Sequence, residues 1–342
     1  MALSTFAIGC LPTYDTVGVI SVLLLTCCRF LQGVSQGGEV PGAIIFIAEH
    51  TAANTRNKYC AFIFFGLGIG ALLSSLVCYL LSTLLTDLEI IAWGWRIPFI
   101  LGGFLGLISI LVRKITYETL NYINQKARGL EKKPAYYLLR NCKKDLVRGV
   151  SLAVLSASLI TFTLTLPAYI ENFVKLSPSL VYFIMSLGML TMATGAPLFG
   201  ILADRLSSLK LLQRSIIVCV VVIPLSIYYA SNNKTFYSVL LMTITVQTCI
   251  SALLGSFPIL LANQFPTKVR YTGVALSYNL ASLIGSLVPV IINYILLKTN
   301  NGLYVGLLFS GMGLVSLLCY TDVQTKDFLS LDEREQRIFR LR

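Results

Sequence analysis

Charged and amide side chains interrupt the first long apolar stretch of the chain, in the segment RFLQGVSQGGE that begins at Arg29. Arg29 and Gln32 are three residues apart, so both would lie on one face of a helix. Glu39 follows ten residues after Arg29. In an ideal helix their directions differ by about 80°, so both could line one cavity without touching. Because a guanidinium lowers the pKa of a nearby carboxylate while burial raises it, this segment suits a site for protons or anions.

A structural role for these polar groups stays open beside the chemical one. Arg29 could instead cap or cross-link a neighbouring helix. Glu49, at the end of the same stretch, could pair with the next loop or take part in transport. Tyr278 and Asn279 lie in a later apolar run, where neutral polar groups either bond a neighbouring helix or contact a ligand. Because ionisable groups inside apolar spans are costly and mark functional sites by default, we favour a functional role for Arg29.

The second apolar run carries small residues at a spacing of four, Gly66, Gly70 and Ser74. Small residues on one face let two membrane helices approach closely. The spacing therefore predicts that this face packs against another helix.

The elements that position these residues are predicted from long apolar runs. A helix that crosses a bilayer needs about 20 mostly apolar residues. Nine such runs occur, at 16–49, 59–84, 95–112, 148–170, 178–203, 211–230, 236–262, 271–297 and 302–320. The opening segment 1–11 is too short to cross and ends before Pro12. We therefore expect an all-α polytopic membrane protein with nine full transmembrane helices and a partial one.

The composition points to the same class of protein. Of the 342 residues, 56% are apolar and 12% are charged, whereas a soluble domain carries about 25% charged residues. This excludes an ordinary soluble enzyme and a disordered chain. If the first full span runs inward, 22 of the 27 Lys and Arg residues lie on the inner side. This is a strong positive-inside pattern, and it explains the net charge of +12 without a nucleic-acid partner.

The sequence carries no P-loop, the usual mark of nucleotide hydrolysis. Its G-x-S-x-G match, GVSQG at 33–37, lies inside a predicted membrane span and not on the strand-to-helix turn that presents a nucleophilic serine. The nine cysteines form no CxxC pair and His50 is the one histidine, so we expect no metal or disulfide centre. We therefore expect a protein that is not an enzyme, that has no cofactor and that draws its energy from an ion gradient.

Four segments together resemble one family. RFLQGVSQGGE, WGWRIPF, GILADR and FPTKVRYTGVALSYN are similar to motifs at the fourth, sixth, eighth and eleventh helices of the major facilitator superfamily, in its metabolite–proton symporter branch. Within that branch the resemblance is to bacterial proline/betaine transporters. It extends from residue 1 to about residue 289.

The resemblance implies two six-helix halves that rock about a central site and couple solute uptake to protons. Arg29 corresponds to an arginine that the family associates with proton coupling, and Gln32 and Glu39 lie in the adjoining motif. Together with Tyr278 and Asn279, these residues are expected to form the substrate and proton pathway.

The resemblance also implies a gate on the cytoplasmic side. GILADR matches a loop motif that latches this side in the C-terminal half, although Ser207 and Ser208 stand where a Gly-Arg pair is usual. The expected gate residues are Glu49, Gly200, Asp204, Arg205 and Arg270.

The family pattern also divides the chain into four segments and implies that helices one and two and part of helix three are lacking. Residues 1–112 are expected to form an incomplete N-terminal half, with a partial helix three and helices four to six. Residues 113–147 would be a cytoplasmic central loop, 148–320 a six-helix C-terminal half, and 321–342 a cytoplasmic tail.

The function implied by the resemblance is proton-coupled uptake of a small zwitterionic or anionic metabolite across the bacterial cytoplasmic membrane. The protein would be multi-pass, with a cytoplasmic C terminus. Proline or glycine betaine is favoured, and oxoglutarate, citrate and shikimate are alternatives. The chain could act as encoded, act with a separate polypeptide that supplies the missing helices, or be an inactive remnant. A membrane sensor or assembly subunit is disfavoured, because the central loop and tail are too small for a further domain.

Overall fold

The computed structural model describes residues 1–113, 133–299 and 301–320, and every regular element in these ranges is helical. The α-helices are α1 Ala2–Gly9, α2 Tyr14–Val17, α3 Val19–His50, α4 Arg56–Leu84, α5 Asp87–Glu89, α6 Arg96–Arg113, α7 Pro134–Asn141, α8 Lys143–Tyr169, α9 Pro178–Leu206, α10 Ser208–Asn233, α11 Phe236–Leu254, α12 Phe257–Asn263, α13 Arg270–Thr299 and α14 Gly302–Tyr320. Two π-helical segments, Ile90–Gly94 and Ile170–Val174, continue α5 and α8. Residues 114–132 of the predicted central loop and the whole predicted tail lie outside the described residues.

Eight helical segments in the described ranges are long and apolar enough to cross a membrane. A ninth span is present if Asp87–Gly94 and Arg96–Gly106, which meet at a bend of 42°, count as one. The short helix α1 ends at Gly9, as the proline at position 12 led us to expect of the partial span. The all-α polytopic fold predicted from the sequence is confirmed.

The largest differences between predicted and observed boundaries occur at two places, while the other helix ends differ by up to three residues. The run 236–262 forms two helices, α11 and α12, which are separated at Gly255 and Ser256, and Pro258 lies in the first turn of α12. A proline fits there because the N–H that it lacks would have no helical acceptor. Helix α8 begins at Lys143, so the end of the predicted central loop is helical.

The buried core lies mainly in the second part of the chain. We call α1–α6 the N-terminal group and α8–α14 the C-terminal group. In the C-terminal group, α8 packs against α13, α10 against α14 and α9 against α11. In the most apolar 18-residue stretch of Phe236–Asn263, 83% of the residues are buried, whereas in the corresponding stretch of α3 only 6% are buried. Helix α3 therefore buries apolar side chains only in its second half, at Val40, Ile44, Ile45 and Ala48.

The most extensive contact between the groups joins α4 to α9. A Cβ added to Gly68 would come within 2.8 Å of the Ala193 Cβ and 2.9 Å of its Cα. A Cβ added to Gly200 would come within 2.8 Å of the Ala61 Cβ. Real Cβ atoms do not approach so closely, so the glycines allow the two backbones to meet.

The packing face of α4 predicted from Gly66, Gly70 and Ser74 is wrong. A Cβ built on Gly66 or Gly70 meets no described heavy atom within 4 Å, and Ser74 is exposed. Gly68 is the glycine that packs against α9, and it is two residues from both Gly66 and Gly70. Because a helix turns by about 100° per residue, two residues place a side chain on the opposite face.

Candidate functional site

A buried ion pair joins the end of α3 to the start of α13. Arg270 Nη1 lies 2.9 Å from Glu49 Oε1, and the two side chains are 1% and 5% exposed. Arg270 Nε also donates a hydrogen bond to the Phe265 carbonyl oxygen at 3.3 Å. The structure thus gives Glu49 a partner that is 221 residues away in sequence, in the other helix group.

Asp204, near the end of α9, caps the first turn of α4. The backbone N–H groups of Asn57 and Lys58 donate to its carboxylate at 3.0 Å, and Asn57 Nδ2 donates at 2.9 Å. The first N–H groups of a helix lack acceptors within the helix, and the helix dipole favours a negative charge there. Ser208 Oγ donates to Asn57 Oδ1 at 2.9 Å. The turn between α9 and α10 is therefore fixed to the start of α4.

The other two residues of the predicted latch motif have different surroundings. Gly200 lies against the α4 backbone, where an added Cβ would be 2.9 Å from the Asn57 carbonyl oxygen. Arg205 is exposed, and it forms no hydrogen bond or ion pair with any residue in the described part of the chain. In this arrangement the carboxylate of Asp204, and not Arg205, makes the contact between the groups.

The polar groups in the first half of α3 face α1 and α6. Arg29 Nη1 donates to Gln32 Oε1 at 3.2 Å, and Gln32 Nε2 donates to Thr5 Oγ1 at 2.8 Å. The Arg29 guanidinium carbon lies 5.7 Å from the centroid of the Phe99 ring, within cation–π distance. The predicted shared face of Arg29 and Gln32 is confirmed. Gln32 is buried and Arg29 is exposed, so the arginine combines a link to neighbouring residues with an accessible charge.

Two side chains of α13 contact the middle of α3. Asn279 Nδ2 donates to the Gly37 carbonyl oxygen at 2.7 Å, and the Tyr271 hydroxyl donates to the Gly38 carbonyl oxygen at 3.3 Å. Gly38 permits this approach, because a Cβ there would be 2.6 Å from the Tyr271 oxygen. Of the two roles expected for Asn279, a bond to a neighbouring helix is therefore observed.

The remaining predicted pathway residues, Glu39 and Tyr278, are placed differently. Glu39 directly follows Gly38 on α3 and is exposed. Tyr278 is half-buried and packs against the hydrophobic core. The structure therefore brings polar groups of α3 and α13 to one level through Asn279, while Tyr278 has an apolar environment.

Several contact residues were not singled out from the sequence. They are Thr5, Asn57, Lys58 and Tyr271. Asn57 lies in the first turn of α4, where backbone N–H groups without helical acceptors need an acceptor, and this position is the signal that could have identified it. Thr5 and Tyr271 carry no comparable signal, because their partners are distant in sequence.

The arrangement can close one end of the helix bundle. At this end α3 and α9 finish while α4 and α13 begin, and we call it the Arg270 end. The Glu49–Arg270 pair and the Asp204 cap both lie there and both connect the two groups. Among the described residues, no group of three or more His, Cys, Asp or Glu side chains could hold a metal ion. The chemistry of the site is that of charges and hydrogen bonds between helices.

Sequence comparisons give relatives over most of the chain. The profile of the Major Facilitator Superfamily matches residues 1–289. A relative from Staphylococcus haemolyticus (strain JCSC1435) is 32% identical over 306 residues, which are 88% of this chain and 65% of the relative. A relative from Escherichia coli (strain K12), named "Proline/betaine transporter", is 30% identical over 316 residues, 88% of this chain and 62% of its own length. The chain spans less than two thirds of the length of both relatives.

Solved structures share the fold at low sequence identity. The proton:xylose symporter XylE bound to 6-bromo-6-deoxy-D-glucose superposes with a TM-score of 0.74 at 16% identity, over 96% of this chain and 81% of that one. The transporter FucP in its outward conformation gives a TM-score of 0.62 at 12% identity, over 93% of this chain and 80% of that one. These similarities concern the helical architecture.

Proposed function

We infer that this chain, which belongs to the Major Facilitator Superfamily, is a proton-coupled secondary transporter of a small compatible solute and works by alternating access. Proline or glycine betaine is the proposed solute, because a relative named for them is 30% identical over most of the chain. Oxoglutarate, citrate and shikimate are the alternative solutes. The proton gradient supplies the energy, and the mechanism needs no cofactor.

The observation that carries the proposal is the pair of contacts between the groups at the Arg270 end. The Glu49–Arg270 ion pair and the cap of α4 by Asp204 each join a helix end of one group to a helix start of the other. If the groups rock apart at this end, both contacts break together. Alternating access needs a closure of this kind, one that is specific and reversible.

We assign the gate to Glu49, Gly200, Asp204, Arg205 and Arg270. The first and last of these form the ion pair, and Gly200 keeps α9 close enough to α4 for Asp204 to reach its N terminus. Arg205 is exposed beside them, where a basic group suits anionic lipid headgroups. The positive-inside pattern favours a cytoplasmic position for this end and for the C terminus, in the bacterial cytoplasmic membrane.

We assign the substrate and proton pathway to Arg29, Gln32 and Glu39 on α3, with Tyr278 and Asn279 on α13. Arg29 and Glu39 are exposed on a helix that is long enough to cross the membrane. Charged groups at that depth are costly and mark functional sites by default. A proton and a zwitterionic solute would interact with these accessible charges during transport.

A second candidate is a transporter that is completed by another polypeptide. In the most apolar 18-residue stretch of α3, 6% of the residues are buried. The charges of Arg29 and Glu39 lie on the exposed surface of this helix. Helices of a separate chain that covered this surface would enclose both charges. Co-purification of such a chain would favour this form of the transporter.

Uptake into vesicles tests the proposal. Lipid vesicles that contain the purified chain should accumulate labelled glycine betaine or proline under an inward proton gradient, and a protonophore should abolish the accumulation. Arg29→Ala should abolish it as well, because the proposed coupling charge is lost. Arg140→Ala removes an exposed arginine outside the predicted spans and should transport normally.

The possible outcomes separate the parts of the proposal. Uptake of a dicarboxylate in place of betaine and proline would overturn the solute assignment alone. Uptake that survives the protonophore would overturn proton coupling. Failure of every solute, both with the chain alone and with the membrane fraction of its source, would overturn the transport function and favour an inactive remnant.

A further inference from the structure

A proline inside α3 leaves one backbone carbonyl without its helical donor. Pro41 lies in the interior of α3 and is buried. Because proline has no N–H, the carbonyl oxygen four residues earlier, that of Gly37, cannot accept the usual hydrogen bond within the helix. In a membrane such a group must be satisfied by another helix, a side chain or water.

Asn279 supplies the missing donor from the other helix group. Its Nδ2 lies 2.7 Å from the Gly37 oxygen and 2.8 Å from the oxygen of Ala275, one turn earlier on its own helix. An amide nitrogen carries two protons, so one bond can fix the side chain on α13 while the other reaches α3. Both neighbours are acceptors, and this requires the NH₂ group, and not the oxygen, to face them.

The same chemistry occurs a second time in the molecule, but inside one group. Pro224 lies in the interior of α10 and frees the carbonyl oxygen of Val220 in the same way. Ser310 Oγ of α14 donates to this oxygen at 2.6 Å. The two bonds differ in what they connect: Ser310 joins two helices of the C-terminal group, whereas Asn279 joins the C-terminal group to the N-terminal group.

The bond to Gly37 is also separated from the gate. Gly37 and Glu49 are twelve residues apart on α3, about 18 Å along an ideal helix. The two contacts therefore join α3 to α13 at two levels. Separation of α3 from α13 along their length would break both the Glu49–Arg270 pair and the bond from Asn279 to Gly37.

We propose that Asn279 is a positioning residue that holds α3 and α13 together through the carbonyl freed by Pro41, and thereby sets the balance between the closed and the open arrangement of the Arg270 end. This proposal rests on the proposed function, because it concerns the movement that alternating access requires. The bond therefore favours the closed arrangement: the Gly37 carbonyl oxygen accepts from Asn279 when α3 and α13 are together, and it lacks this donor when the helices part.

Distance measurements on the purified chain test the proposal without any transported solute. Spin labels carried by unnatural amino acids at His50 and Lys268, both exposed at the Arg270 end, report separation of α3 from α13 and avoid the nine native cysteines. Asn279→Ala should raise the ratio of long to short distances by roughly three- to tenfold, the effect of losing one interhelical hydrogen bond in a membrane. Ser310→Ala is the matched control, because it removes the equivalent bond inside one group and should leave the ratio unchanged.

A double variant separates this role from simple packing. In Pro41→Ala, residue 41 regains an N–H and Gly37 regains a donor within the helix. Asn279→Ala added to Pro41→Ala should then change the ratio less than twofold. If Asn279→Ala does not fold, Asn279→Leu keeps a similar side-chain size without the donor and should give the same shift.

The results can overturn the proposed role of Asn279 independently of transport. Equal shifts in Asn279→Ala and Ser310→Ala, or an effect of Asn279→Ala that persists in Pro41→Ala, would reduce Asn279 to a general packing residue. Unchanged distances in all variants would refute the proposal. If uptake fails in every assay but the distance ratio shifts as expected, the proposed role of Asn279 is supported and the proposed transport function is refuted.

Discussion

The two main contacts between the helix groups are built in opposite ways. Helices α4 and α9 meet along small residues, with Gly68 against Ala193 and Gly200 against Ala61. Helices α3 and α13 meet at a few polar points, among them the buried Glu49–Arg270 pair and the bond from Asn279 to α3. The first contact depends on shape along most of its length, with the Asp204 cap at one end, and the second depends on single bonds.

This difference indicates which contact can open. Backbones that meet over small residues can tilt or slide without breaking a specific bond, as shear motions of packed helices do. Point contacts between charged or amide groups are made or lost as a whole. We therefore expect α4 and α9 to stay in contact along their small residues when the Arg270 end opens, while the Asp204 cap and the Glu49–Arg270 pair both break.

The largest effect is expected at the buried ion pair. Arg270→Ala leaves the Glu49 carboxylate, 5% exposed, without this guanidinium, and breaking a buried pair by removing one partner costs about 3–5 kcal/mol. The free energy of unfolding, measured by titrating the protein with SDS in mixed micelles, should fall by about this amount. Lys268→Ala, at an exposed position two residues earlier, should have little effect.

Removing both charges should cost less than removing one. In Glu49→Gln with Arg270→Gln, no lone charge stays buried, so we expect most of the stability to return. A loss in the double variant as large as in Arg270→Ala would show that the site depends on packing, and the contrast between the two contacts would then disappear.

The next largest effect is expected where α4 meets α9. Gly68→Leu forces a side chain into the Ala193 backbone, whose Cα would lie 2.9 Å from the new Cβ, and overpacking costs about 1–3 kcal/mol. Gly66→Leu adds the same side chain where no described atom lies within 4 Å and should not destabilise, because leucine is a better helix former than glycine by about 0.5–1 kcal/mol. The same titration measures both, and equal losses would contradict the assignment of the packing face.

The contrast between Gly66 and Gly68 shows which features of the fold can be predicted from the sequence and which cannot. Apolar runs of about 20 residues predict the spans, because the helix length needed to cross a bilayer is met by one contiguous stretch of sequence. The shared face of Arg29 and Gln32 is predictable for the same reason, since it follows from helix geometry. Glycines at 66, 68 and 70 alternate between the two sides of α4, and local spacing does not indicate which side meets a neighbour.

Contacts between distant residues were harder to predict. Asp204 and Asn57 are 147 residues apart, and Asn279 and Gly37 are 242 apart. Their types are informative, because an acid near a helix end, where the helix dipole is unfavourable, or an amide in an apolar run needs a partner. Which partner it finds depends on how the two groups pack, and that is a property of the whole fold.

A smaller effect is expected at the cap of α4, which fixes one end of the α4–α9 contact. Asp204→Asn keeps the shape but loses the negative charge, and its NH₂ group would face a backbone N–H of α4. We expect a loss of about 1 kcal/mol, typical of a helix cap. Asp145→Asn is the control, because its pair with Arg148 is 3.7 Å long and partly exposed and should contribute little. A larger loss in the control would mean that Asp204 does not act as a cap.

The smallest effect is expected at the turn that follows Asp204, and it has the opposite sign. Ser207 has a φ of 93°, a conformation that glycine adopts readily and other residues adopt at a cost of about 1 kcal/mol. Ser207→Gly should therefore raise the free energy of unfolding by less than about 1 kcal/mol, because glycine also adds conformational freedom to the unfolded chain. The distance between His50 and Lys268 should stay unchanged, because the variant relieves strain without touching either contact between the groups. Ser177→Gly, at the other end of α9 with a φ of −64°, should lose a few tenths of a kcal/mol. If Ser207→Gly were destabilising, the strain would be part of what keeps Asp204 on the start of α4, and the turn would belong to the gate.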